Sequence, residues 1–182
     1  MRIRVPKIDW SQAEAIDEGA VHEACHAVVA WAIGARVCLI TIRPGRQDGI
    51  EYGGRTRTVQ EAGNGVEEAC LDFSAISVAP ILLFAFGRRI AGQTHRVSGV
   101  RLMSYAYGNR CAADWDGAYD RIVNTYARPH LPRMDESLNR ASTIIERYWE
   151  QITRLARTLQ DAKELEGDQI LDVLNAARRK TA

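Results

Sequence analysis

Glu18-Gly-Ala-Val-His22-Glu23-Ala-Cys-His26-Ala-Val-Val-Ala30-Trp-Ala-Ile33 is the stretch that decides how this chain reads. It contains His-Glu-x-x-His inside a run of helix-compatible residues. The pattern predicts a helix from Ser11 to about Ile33. Ser11 and Glu14 have the spacing of an N-terminal capping box, and Gly34 stands where a helix C-cap belongs. Residues four apart share one face of a helix. His22 and His26 therefore project together and can hold one zinc ion. Glu23 is about 100° round from His22. From there it can take the proton of a water held by that zinc.

A catalytic zinc needs a third protein ligand and an open fourth position. Glu68, in Glu68-Ala-Cys-Leu-Asp72, has the glutamate-to-aspartate spacing of thermolysin-like enzymes. Asp114, in Cys111-Ala-Ala-Asp-Trp-Asp-Gly-Ala118, is the alternative, and His95 and His130 are weaker candidates. A third histidine in the longer HExxHxxGxxH pattern is excluded, because Ala32 occupies its place.

Downstream, Val37-Cys-Leu-Ile-Thr-Ile42 is rich in β-branched residues and reads as a strand. Ile50 to Val59 reads as a second strand, with Gly53-Gly54 marking a bulge or an edge. Val66 to Ile90 reads as a helix bent near Pro80 and ended by Gly92. His95 to about Arg110 reads as a loop. Cys111 to Tyr126 reads as a helix, with Ala112, Trp115, Tyr119 and Ile122 on one face. After Pro129 and Pro132, one long helix is expected from Met134 to about Leu159. Glu166-Gly-Asp-Gln then opens a short last helix carrying Ile170, Leu171, Val173 and Leu174. The expected fold is mainly α with a small β hairpin or sheet, an α+β class. A zincin-like HExxH helix leads, strands follow, and a C-terminal helical bundle closes the chain. Residues 1–130 are expected to form the core and 131–182 a helical hairpin packed on it, a single domain overall.

The 182 residues are 46% hydrophobic and 26% charged, an ordinary globular balance. Lys and Arg number 24 and Asp and Glu 23, so the net charge of +1 makes no case for nucleic acid. The phosphate-binding pattern GxxxxGK[ST] is absent. The longest apolar run, Ile76 to Phe86, is interrupted by Ser77 and Pro80 and reads as a buried helix, so no membrane span is expected. The N-terminus has no apolar segment of signal-peptide type. Four scattered cysteines without a CxxC pair suit a reducing, cytoplasmic compartment.

These residues together resemble the zinc peptidase domain of the FtsH-type membrane-bound AAA proteases. His22-Glu-Ala-Cys-His-Ala-Val-Val-Ala30 is similar to that family's HEAGHALVA, and Val37 to Pro44 to the strand after it. Gly49-Ile-Glu-Tyr52 falls at the second strand, and Phe86-Gly-Arg88 resembles its L-G-G-R. Asp114-Trp-Asp-Gly-Ala118 resembles the segment whose aspartate completes the metal site. Glu164-Leu-Glu-Gly-Asp-Gln-Ile170 resembles the E-T-L-D-G-E-E-I of the C-terminal hairpin.

The resemblance implies one Zn2+ per chain held by His22, His26 and Asp114, with Glu23 catalytic. Asp116 is then a bystander, and Glu68 and Asp72 revert to a solvated helix face. The implied activity is that of a stand-alone zinc metallopeptidase acting on unfolded or flexible polypeptides. A substrate strand could pair with the chain near Gly49, Ile50, Glu51 and Tyr52, along an edge running to Thr58. The family's ATPase module and membrane anchors are not in these residues, which suggests a separate unfoldase or adaptor as partner. The family's sixfold rings suggest a homo-oligomer. Ala91 and Gly92 replace carboxylates of the family pattern, and Cys25 replaces its small glycine. Outer carboxylates orient ligating histidines. Their loss motivates a second reading, a zinc-binding scaffold or adaptor with little proteolysis.

Overall fold

The computed structural model describes residues 3–47, 50–59, 65–88, 96–97, 99–108 and 111–178. It is mainly helical with a small antiparallel sheet, the class the sequence predicts. The chain divides into two compact units, Met1–Ile8 with Ala62–Arg147, and Asp9–Glu61 with Tyr148–Ala182.

The first unit is built on α2 (Val66–Arg88), which packs against α4 (Ala112–Thr125) and α5 (Leu131–Arg147). Leu71, Ala75, Val78, Ala79, Leu82 and Leu83 of α2 are buried. The two helices packed on α2 bury Trp115, Ala118 and Ile122 in α4, and Met134, Leu138, Ala141 and Ile145 in α5, all at three- and four-residue spacing. A window at Val66–Ala85 is long and apolar enough to cross a membrane by length and composition, yet 78% of it is buried inside the protein. Its apolar character is that of a core helix. Pro80 lies inside α2, as the sequence predicts. Strand β1 (Ile3–Arg4) pairs with β6 (Arg96–Val97), and the Arg4 carbonyl accepts from the Ser142 hydroxyl of α5 at 2.6 Å. Residues 99–108, read as loop, form α3 (Gly99–Gly108), which buries Leu102 and Ala106 one turn apart. Two buried residues are too few to announce a helix by periodicity.

In the second unit α1 (Glu18–Ala32) packs against β2 (Arg36–Thr41), β5 (Arg55–Val59) and α6 (Trp149–Ala162). The sheet order is β5-β2-β7, with β7 at Glu164–Glu166 and all pairings antiparallel. The register shifts between Val37 and Leu39, so the irregularity lies in β2 beside Cys38 rather than at the paired glycines. The single strand expected over 50–59 is two. Ile50–Tyr52 is β4, paired with β3 (Gly45–Gln47), and Gly53-Gly54 separates it from β5. Gly49 lies outside the described residues.

The helix begins at Glu18, not Ser11. Residues Trp10–Ala13 form a short 3-10 turn whose cap is Asp9, and its carboxylate accepts from the Ser11 N–H. Side chains of α6 hold this segment out of the helix. Trp149 Nε1 donates to the Asp9 carbonyl at 2.9 Å, and Arg157 donates to the Gln12 carbonyl at 2.7 Å. The C-terminal end agrees with the sequence reading. Gly34 adopts φ +86°, where only glycine sits without strain. Its N–H donates to the Trp31 carbonyl at 3.1 Å, and the Ala35 N–H to the Ala30 carbonyl at 2.9 Å, a Schellman closure.

The long helix expected over 134–159 is also two. It breaks at Tyr148, where φ −118° and ψ 26° leave the helical region. Trp149 stacks on Trp10 with ring centroids 5.9 Å apart, and Tyr148 meets Trp31 edge-on at 5.4 Å. Helix α7 (Gly167–Arg178) buries Ile170 and Leu174 and leaves Leu171 exposed.

Candidate metal centre

Helix α1 starts on the Asp17 carboxylate, which accepts from the Ala20 N–H at 3.1 Å. Capping there satisfies an N–H that no helical carbonyl can reach. Alanines at 20, 24 and 27 and valines at 21, 28 and 29 bury the helix on several sides. Three ionisable side chains share this apolar setting. His26 is 9% exposed, Glu23 is 6% exposed, and His22 is half-buried.

The two imidazoles stand one turn apart, with ring centroids at 4.8 Å and planes at 76°. Their Nε2 atoms converge to 3.1 Å. In a neutral pair one ring donates and the other accepts, and a cation can take the place of that shared proton. Two nitrogens held by one tetrahedral zinc at about 2.0–2.1 Å would stand about 3.3 Å apart. The observed separation of 3.1 Å and the donor chemistry therefore fit zinc as two of its ligands.

Glu23 is held from the sheet. The Thr56 hydroxyl lies 2.7 Å from Glu23 Oε2 and 3.0 Å from the Glu23 carbonyl oxygen. A hydroxyl has one proton, and the carboxylate is the stronger and closer acceptor. Gly54 makes room for the other oxygen. A Cβ built at Gly54 would lie 2.8 Å from Glu23 Oε1, 3.0 Å from its Cγ and 3.1 Å from the Thr41 carbonyl oxygen. Neither Thr56 nor Gly54 stands out in the sequence. The glycine pair is the one visible signal, and it reads as a bulge until the strand register is known.

Asp114 occupies the first turn of α4 and is half-buried. Cys111, the residue before that helix, has its thiol pushed up to about 12, first by burial and then by the Asp114 charge. Asp116 accepts a hydrogen bond from the Tyr107 hydroxyl of α3. That contact raises the Tyr107 pKa, because the hydrogen bond favours the protonated phenol. Asp116 is thus engaged within its own unit.

The other sequence candidates have structural partners. Glu68 is exposed, as expected of a solvated helix face, but Asp72 is not. Asp72 is 4% exposed, and the Arg140 guanidinium of α5 bonds both it and, at 2.7 Å, Glu68. His130 Nε2 lies 3.0 Å from the Tyr126 carbonyl oxygen, an N–H···O bond back onto its own turn. Cys25 is fully buried, and none of the four cysteines is in a disulfide. His95, Ala91 and Gly92 lie outside the described residues.

The chain matches no protein-family model, and a search of curated proteins finds no significant relative.

Proposed function

We propose that the chain is a zinc-dependent metallopeptidase that hydrolyses unfolded or flexible polypeptides, in a cytoplasmic setting. The observation that carries the reading is the convergence of His22 and His26 Nε2 at 3.1 Å, beside the buried Glu23 carboxylate. Asp114 is the third ligand in this reading. Asp114-Trp-Asp-Gly-Ala118 resembles the segment whose aspartate completes the metal site of the FtsH-type peptidases, and that resemblance supports the assignment.

Bound there, zinc would supply Lewis acidity, polarising a carbonyl and bringing the pKa of water to about 7. The chain's own groups do the rest. His22 and His26 present neutral Nε2 lone pairs, and Asp114 adds a negative oxygen. The Glu23 carboxylate takes a proton from water and passes it to the leaving amine. The apolar walls of α1 strengthen each of these interactions by keeping the local dielectric low. The substrate is an extended chain pairing with β5, an edge strand of the β5-β2-β7 sheet, delivered where needed by a separate unfoldase.

Glu23→Gln tests the proposal. The variant should bind one zinc per chain as the parent does and cleave an unstructured peptide about 10²–10⁴-fold more slowly. Chelation should abolish the parent's cleavage and added zinc restore it. Equal cleavage by Glu23→Gln and parent removes the role of Glu23. A parent that holds zinc and cleaves nothing is a zinc scaffold instead.

A further inference from the structure

We infer that Thr56 is the positioning residue for the general base, its hydroxyl fixing the Glu23 carboxylate in the space that Gly54 leaves open. The assignment rests on the peptidase reading and adds a residue to it.

Three observations support it. Thr56 is the second residue of β5 and pairs with Ile40 of β2, so strand alternation sends its side chain to the face that packs on α1. Its hydroxyl meets Glu23 Oε2 at 2.7 Å, within the range of an O–H donor to an ionised carboxylate. The opposite oxygen, Oε1, occupies the place where any side chain at position 54 would begin, only 2.8 Å from a built Cβ. One oxygen is thus tethered and the other is confined, and the carboxylate cannot turn about its final torsion without losing one constraint. Terminal carboxylate torsions are otherwise broad, with little preference of their own. A general base needs a defined direction for its proton, and β5 and the Gly54 backbone supply it.

The test uses the full chain with zinc loaded and a fluorogenic unstructured peptide as substrate. Thr56→Val keeps the shape and removes the donor. It should lower kcat by about 10–100-fold, the scale of a misplacement of about 1 Å, with KM and zinc stoichiometry unchanged. Thr56→Ser restores the hydroxyl and should recover kcat to within about threefold of the parent. Gly54→Ala should lower kcat by pushing on the same carboxylate from the other side. In a Glu23→Gln background, Thr56→Val should cause no further loss, since it acts only through that carboxylate. A double-mutant cycle on urea unfolding of the metal-free protein should show the two positions coupled.

Unchanged kcat in a folded, zinc-loaded Thr56→Val or Gly54→Ala, beside an active parent, overturns the assignment alone. A parent that cleaves nothing overturns the peptidase reading and this role with it. Loss of kcat in Thr56→Ser as large as in Thr56→Val also overturns it, because the hydroxyl is then not what matters.

Discussion

Arg140→Met removes the cation that serves two carboxylates of α2, and the structure sets the size of the loss. The two pairs differ in exposure. The Glu68 side chain is 52% exposed and that of Asp72 only 6%. An exposed pair contributes about 0.5 kcal/mol, because water and salt screen it. Orphaning a buried carboxylate costs about 3–5 kcal/mol. The Arg140 side chain is itself 24% exposed, so water can partly replace it and the lower end of that range applies. We expect a loss of about 3 kcal/mol, nearly all of it through Asp72. With an m-value of about 2 kcal/mol/M, the urea midpoint should fall by about 1.5 M. Glu68→Gln should cost under about 1 kcal/mol. Arg140→Met with Asp72→Leu should recover much of the loss, since a buried pair replaced by apolar groups is often neutral. The assay is urea unfolding of the metal-free chain at neutral pH, followed by circular dichroism. A loss below about 1 kcal/mol in Arg140→Met would refute the claim that Asp72 depends on this guanidinium. Zinc stoichiometry should be unchanged in Arg140→Met and Glu68→Gln, because neither carboxylate is assigned to the metal. Loss of zinc in Glu68→Gln would restore Glu68 as a ligand.

Two further outcomes follow from local geometry. Gly34→Ala should destabilise the chain by about 1 kcal/mol in thermal unfolding, because φ +86° costs a Cβ-bearing residue about 1–2 kcal/mol, partly offset by a stiffer unfolded chain. The Cys111 thiol, held up to about 12 against an ordinary 9, should resist iodoacetamide at pH 8 until the protein unfolds, whereas the half-buried Cys38 should label first. Between those pH values the native state keeps the Cys111 proton that the unfolded chain has lost. Stability from this group should therefore be complete below about pH 9 and fall as pH rises toward 12, by up to about 1.4 kcal/mol per unit. Urea midpoints at pH 8 and 10.5 for the parent and Cys111→Ala check the sign. A parent that loses no more than the variant contradicts it.

The fold was legible where local rules suffice. The α1 C-terminus needs only a left-handed residue, and Gly34 supplies it in the sequence. The apolar content of residues 66–85 announces a core helix because α2 is buried along most of that window. The N-terminus of α1 is ambiguous in the sequence, because Ser11 with Glu14 and Asp17 are both competent caps. The choice falls to α6, whose Trp149 and Arg157 take the Asp9 and Gln12 carbonyls. The break at Tyr148 is hidden for a similar reason. Apolar spacing runs on through Ile145, Trp149 and Ile152, all buried, while the residues flanking the break settle into different units. Asp72 looked solvated because a buried acid is credible only once its cation, 68 positions away, is known.

His22 and His26 were brought to one face by sequence alone, with Glu23 about 100° round, because a helix of 3.6 residues per turn leaves i and i+4 no choice but to share a face. What holds Glu23 was not set by sequence alone. Thr56 lies 33 residues on and reaches it only through the pairing of β5 with β2 and the packing of both on α1. Helical periodicity is a property of neighbours along the chain. The contact of a helix with a strand depends on register and packing, which exist only after the chain has folded.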